Sequence, residues 1–202
     1  MKTFVYLLFS VVVLVVVGLS LDGKLSGHNM VKQEQYASLH DFLKDFFACD
    51  DQMADVLQRK LAPFIAQMSP QEFMQEFSAR KAEALQISEG MDVQGWNPDD
   101  DAVQIEGETH LLVLENEKVR VLDQLLPPGC IQSYHTHQYP SLLVVIDPAR
   151  TNYNHDDPAQ SCAEDPDSEY VGILSLKPEG LHSVENIDDR IFYSLRIEFK
   201  GP

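Results

Sequence analysis

Residues Gly129–His137, GCIQSYHTH, follow two prolines with a glycine and end in two histidines separated by one residue. Side chains alternate faces along a β-strand, so His135 and His137 project to one side and can reach a single cation together. The same spacing also arises as two hydrogen-bonded polar positions on an exposed strand. A second punctuated segment, GILSLKPEGLHSVEN at residues 172–186, places Gly172, Pro178, Gly180, His182 and Asn186 in a strand–turn–strand pattern. The two segments together point to one site.

From His110 onward the chain reads as strands. HLLVL, KVRVLDQLL, IQSYHTH, SLLVVI, YVGILSL and IFYSLRIEF are short, rich in Val, Ile, Leu and Tyr, and separated by polar or Pro/Gly turns. Strands without helical segments between them imply a mostly antiparallel sandwich or barrel. Asp147–Glu169 is the exception, a polar stretch with seven acidic residues and only Arg150 as a base. It reads as a long loop, either a screen at a barrel mouth or a solvated excursion.

Upstream the pattern is helical. Tyr36, Leu39, Leu43 and Phe46 or Phe47 form one apolar stripe, Met53, Val56, Leu57 and Leu61 a second, and Phe73, Phe77, Ala84 and Leu85 a third. Three short helices follow, their aromatics forming core against a sheet. Ser69-Pro70-Gln71-Glu72 is a helix start with a capping box, and Pro63 is expected to kink or end the second helix. His28 and His40 read as solvated. Residues 91–107 carry Gly95, Pro98, Asp99-Asp100-Asp101 and Glu106 without a base, and read as an acidic linker whose Trp96 pins it to the barrel. The Asp triplet lacks the spacing of a calcium-binding loop.

Residues 1–20, MKTFVYLLFSVVVLVVVGLS, pair one early lysine with a long apolar run and the small residues Gly18 and Ser20, the pattern of a cleaved secretory signal. An uncleaved membrane anchor is the alternative. The reading is thus a signal at 1–20, a helical extension at 21–90, the acidic linker at 91–107 and a β-barrel at 108–202. The chain has 202 residues, 44% of them hydrophobic, and a formal charge of −17. Such acidity repels phosphate backbones and anionic headgroups, which argues against nucleic acid as a partner and favours cations. Cys49, Cys130 and Cys162 form no CxxC motif; Cys130 and Cys162 are the pair to test in an oxidising compartment, against the alternative of three unpaired thiols.

The order Gly129, five residues, His135-x-His137, then Gly172, five residues, Pro178-x-Gly180-x-His182, three residues, Asn186, resembles the paired motifs of the cupin superfamily over roughly residues 108–199. The resemblance implies a double-stranded β-helix with His135, His137 and His182 facing the interior around a metal. Three features depart from the pattern. The motif glutamate, four or five residues after the second histidine, is replaced by Ser141 and Leu142. The glycine closing the first motif gives way to Pro148 and Ala149. One residue rather than two separates Gly180 from His182.

Three neutral imidazoles suit Fe²⁺ or Zn²⁺, with Mn²⁺, Ni²⁺ and Cu²⁺ also admissible, and leave positions open for a small-molecule ligand in the barrel. Iron suits an oxygenase and zinc a lyase or isomerase. Tyr134 lies at odd offset from both histidines and should face away, so Tyr139 is the candidate acid or substrate contact, with simple ring packing as its alternative. Arg120 and Arg196 are open between site and structure. A second functional reading is a secreted acidic binding or matrix protein on a degenerate scaffold. By analogy with cupins, a homodimer is expected.

Overall fold

The computed structural model describes residues 36–91, 96–156, 161 and 171–201. The segment read as a secretory signal, His28 and Cys162 lie outside them. Three helices come first: α1 (Leu39–Phe47), α2 (Asp51–Ile65) and α3 (Pro70–Ile87). Each begins on a side-chain cap: Ser38 accepts from the Asp41 amide, Asp50 from that of Met53, and Ser69 with Glu72 closes a reciprocal capping box. Pro63 lies inside α2, which runs two residues past it to Ile65.

The acidic stretch differs from the linker expected of it. Pro98–Asp100 form a 3₁₀ turn and Ala102–Ile105 a short helix, α4, capped by the Asp101 side chain on the Val103 amide. Asp101 itself is buried and bridges in parallel to Thr136.

Eight strands follow: β1 (His110–Glu115), β2 (Val119–Leu126), β3 (His135–His137), β4 (Ser141–Asp147), β5 (Thr151–His155), β6 (Gly172–Leu176), β7 (Glu179–Asn186) and β8 (Phe192–Phe199). They make two antiparallel sheets, one ordered β1-β2-β8-β4-β6 and one ordered β3-β7-β5. This is a mainly β fold, a double-stranded β-helix with an N-terminal helical region. β5 lies inside the stretch read as a loop: TNYNH has little β-propensity and takes strand form through its full register with β7, Thr151 opposite Asn186 and His155 opposite His182.

Strand β8 shows how the layers are divided. Tyr193, Leu195, Ile197 and Phe199 join the core shared with Phe42, Phe47, Leu57, Phe73 and Phe77 of the helices. The alternate residues Phe192, Ser194, Arg196 and Glu198 turn to the other face, toward the three-stranded sheet. Val119 and Val121 of β2 and Leu142 and Val144 of β4 take the helical side in the same way. Strand β8 at the centre of the five-stranded sheet is therefore covered on both faces, whereas the edge strand β1 leaves Leu111 and Leu112 exposed.

The helices are tied on by polar contacts as well. The Asn116 amide in the β1–β2 turn donates to the Phe47 carbonyl at 2.8 Å, and Lys60 of α2 pairs with Asp123 of β2. Helices and sheets form one compact unit, Tyr36–Pro202. Among the described residues no helix is long and apolar enough to cross a membrane. A shared core predicts a single unfolding transition, with the helical circular dichroism signal and Trp96 fluorescence changing together in urea. Phe77→Ala, at a fully buried position, should destabilise both by about 3–5 kcal/mol.

Candidate metal centre

The strand pattern brings His135, His137 and His182 together. His135 stands opposite His182 in the β3–β7 register, and an irregularity after it lets His137 pair with Glu179. Ring centroids are 5.1 Å apart for His135 and His137, 4.5 Å for His135 and His182, and 5.5 Å for His137 and His182. A fourth histidine, His110, opens β1 and approaches both members of the pair, at 4.7 Å from His135 and 5.2 Å from His137. Nitrogens of His110, His135 and His137 all lie within 4.8 Å of one another. All four rings are buried.

Hydrogen bonding distinguishes the four. The Nδ1–H of His135 donates to the Ser133 carbonyl and that of His182 to the Gly180 carbonyl, both at 2.8 Å. His137 donates from Nδ1 to Glu198 Oε1 at 2.7 Å. A carbonyl or carboxylate only accepts, so each ring carries its proton on Nδ1 and its lone pair on Nε2. The Nε2 atoms of His135 and His137 are buried with no hydrogen-bond partner.

His110 is differently committed. Gln124 accepts from Ser194 through Oε1, so its amide N–H faces His110 Nε2 at 2.6 Å and occupies that lone pair. On distance the clustered nitrogens are those of His110, His135 and His137, without His182; on lone pairs His110 Nε2 is occupied, whereas Nε2 of His135 and of His137 has no partner. No periodic or motif signal marks His110, which begins a strand and enters the cluster only through sheet pairing.

Behind His137 lies a chain of buried charge. Glu198, with no exposed surface, is held by Arg120 as well as by His137, and Arg120 makes a bidentate pair with Asp101 at 2.8 and 2.9 Å. Burial raises the Glu198 carboxyl despite the pull of Arg120. Burial opposes charge on Arg120 too, but Asp101 and Glu198 outweigh it and hold the guanidinium protonated. Arg196 pairs with Glu179 and lies 3.7 Å from Glu198. Burial pushes the Glu179 carboxyl up, and Arg196 more than reverses it, holding it at about 2.

A cavity of about 250 Å³ opens between the two sheets onto His135 and His182. Tyr153 lines it, stacked on His182 at 5.0 Å with its hydroxyl 3.3 Å from Glu179. Tyr139, the tyrosine singled out from sequence, is not among the lining residues. It lies beneath the Arg120 guanidinium, 5.6 Å from ring centroid to carbon, and so serves the charge chain rather than the cavity. Tyr134 is exposed, as its odd offset requires. Asp101 of the acidic triplet is taken by Arg120 and is not a free calcium ligand. Among the described residues Cys49 and Cys130 are free thiols.

Similar folds are found among solved structures. A cupin domain from Bordetella pertussis Tohama I is 22% identical over 46% of this chain and 92% of its own, with a TM-score of 0.40. A protein with a double-stranded β-helix domain from Klebsiella pneumoniae is 22% identical over 46% and 76%, with a TM-score of 0.35. An RmlC-like cupin family protein from Methanocaldococcus jannaschii is 14% identical over 46% and 83%, with a TM-score of 0.33. No protein-family model and no curated protein matches the chain. The strand order and registers described above define the fold independently of these likenesses.

The rings are held neutral. Burial, with His182 second, pushes His135 down to about 3, and burial also lowers His110, His137 and His182. Unfolding therefore takes up protons once the pH falls below about 6.5, so stability contributed by neutral His135 is complete above that pH and lost as the pH falls toward 3. In chelator-treated protein, urea unfolding between pH 7 and pH 5 should lose stability by up to about 1.4 kcal/mol per pH unit for each such group. His135→Gln should flatten the slope.

Proposed function

We propose that this chain is a secreted protein that binds a divalent transition metal through His135, His137 and His182, next to a cavity that admits a small molecule, and that it acts as a metal-dependent oxygenase or lyase. The supporting observation is the pair of buried Nε2 lone pairs on His135 and His137, left unpartnered while each Nδ1–H is fixed by a carbonyl or carboxylate. Burying an acceptor without a partner costs roughly 1–3 kcal/mol, and a cation relieves that cost for both rings together. Charge favours the same occupant: Asp101, Glu179 and Glu198 outnumber Arg120 and Arg196 by one beside the neutral imidazoles.

An ion bound there would supply Lewis acidity, or, if iron, a route to dioxygen chemistry. The protein's own part is orientation and exclusion of water. Glu198 fixes the His137 ring and raises its basicity, the outer hydrogen bond typical of metal-binding histidines. Ser133 and Gly180 fix the other two rings. Leu126, Leu143, Leu174 and Phe192 supply the apolar part of the wall beside His135 and His182. Secretion is supported by residues 1–20 of the sequence.

Plasma mass spectrometry of the full chain purified without chelators should find close to one equivalent of a transition metal, lost in His135→Ala/His137→Ala. A wild-type chain that takes up no metal even after reconstitution would sink this reading. Glu198→Gln should keep the metal but weaken its binding about 10–100-fold in a chelator competition.

A further inference from the structure

The cavity beside the histidines carries a feature that metal binding does not use. Arg196, only 3% exposed, and Glu179, with a side chain 17% exposed, both line it. Arg196 Nη2 and Glu179 Oε2 meet as an ion pair. Arg196 Nε is buried without a hydrogen-bond partner, its nearest carboxylate oxygen being that of Glu198 at 3.7 Å. A planar guanidinium fork and a carboxylate thus stand side by side at the cavity wall, the Arg196 Nε with its donor unspent.

A ligand with one charged head can engage only one member of the pair and competes with the other for it. A ligand with adjacent anionic and cationic heads meets both charges at once. The contact between Nη2 and Oε2 requires those heads to be neighbours, as the carboxylate and ammonium of an α-amino acid are. Leu126, Leu143, Leu174, Leu176, Val184 and Phe192 form the apolar part of the wall, beside the polar Gln124, Gln132, Thr151 and Tyr153. At about 250 Å³ the cavity is below the roughly 300–1,000 Å³ of drug-sized ligand pockets, so the ligand is small.

We infer that the cavity binds a small α-amino acid with an apolar side chain, its carboxylate on Arg196 and its ammonium on Glu179. The inference rests on the proposed function only in taking the cavity as the ligand site next to the histidines.

The test is calorimetric titration of the full chain, with metal content measured on the same sample, using leucine, isocaproate and isoamylamine. These share a branched apolar body and differ in carrying both heads, the carboxylate alone or the amine alone. Leucine should bind about tenfold or more tightly than either. Glu179→Gln should narrow the gap by weakening leucine and strengthening isocaproate, a crossing that general destabilisation does not produce. Leu174→Trp, which fills the cavity and leaves both heads in place, should abolish binding of all three without loss of metal. Equal binding of the three probes by the wild-type chain, or no binding at millimolar concentration, overturns the inference. Metal present without leucine binding removes this inference alone, whereas leucine binding without metal removes the metal reading alone.

Discussion

Glu198 is a carboxylate with no access to solvent, and the arrangement around the histidines depends on keeping it ionised. A buried carboxylate is tolerated only where every oxygen is met by a donor or a positive charge. Arg120 takes one oxygen, His137 the other, with Arg196 close by. Arg120 in turn would carry excess charge without Asp101, which reaches it from outside the β-sheets. The acidic stretch is thereby drawn against β3, where Asp101 bridges to Thr136 between the two histidines. Such a chain adds little net stability compared with an apolar core of the same size. What it supplies is position, since every member has one place in which its neighbours are all satisfied.

This dependence explains what could be read from the sequence and what could not. His135-x-His137 is legible because a two-residue period fixes the face, and Ser69 with Glu72 because a capping box closes within one turn. The apolar stripes that include Leu39, Leu43, Phe73 and Phe77 are likewise local. Asp101 looked like linker because its composition is acidic and its partner is nineteen residues away on another strand. His110 and Tyr153 were missed for the same reason: each enters the site through sheet pairing, with β2 and β7 respectively. β5 carries asparagines that argue against a strand, and only the register with β7 overrules them. Tyr139 was chosen for nearness in sequence to the histidines, whereas its ring lies under Arg120 and does not line the cavity.

The helical layer also bears on the site. It covers the outer face of the five-stranded sheet, so β8 is buried on both sides and its polar alternates, Ser194, Arg196 and Glu198, have no solvent to turn to. A two-faced buried strand is expected to be apolar throughout. FYSLRIEF breaks that expectation at Ser194, Arg196 and Glu198: Glu198 bonds His137, Arg196 lines the cavity, and Ser194 donates to the Gln124 that meets His110. Packing on one face holds rigid the strand that presents charge on the other, which is the condition for a site held to a fraction of an ångström.

The absent motif glutamate has a physical counterpart in the same strand. Of the two positions where a carboxylate would stand, Leu142 faces the helical core and Ser141 faces inward, fully buried. Ser141 lies directly opposite Glu198 in the β4–β8 register. Cβ atoms of opposed residues in antiparallel strands are about 4.5–5.5 Å apart, and like charges placed so are destabilising. A glutamate at 141 would set a second carboxylate against Glu198 in a place without water to screen the two. Serine at 141 and glutamate at 198 are therefore one choice: negative charge is placed behind His137 rather than among the clustered imidazole nitrogens, and the imidazoles remain a neutral set with a carboxylate one hydrogen bond further out.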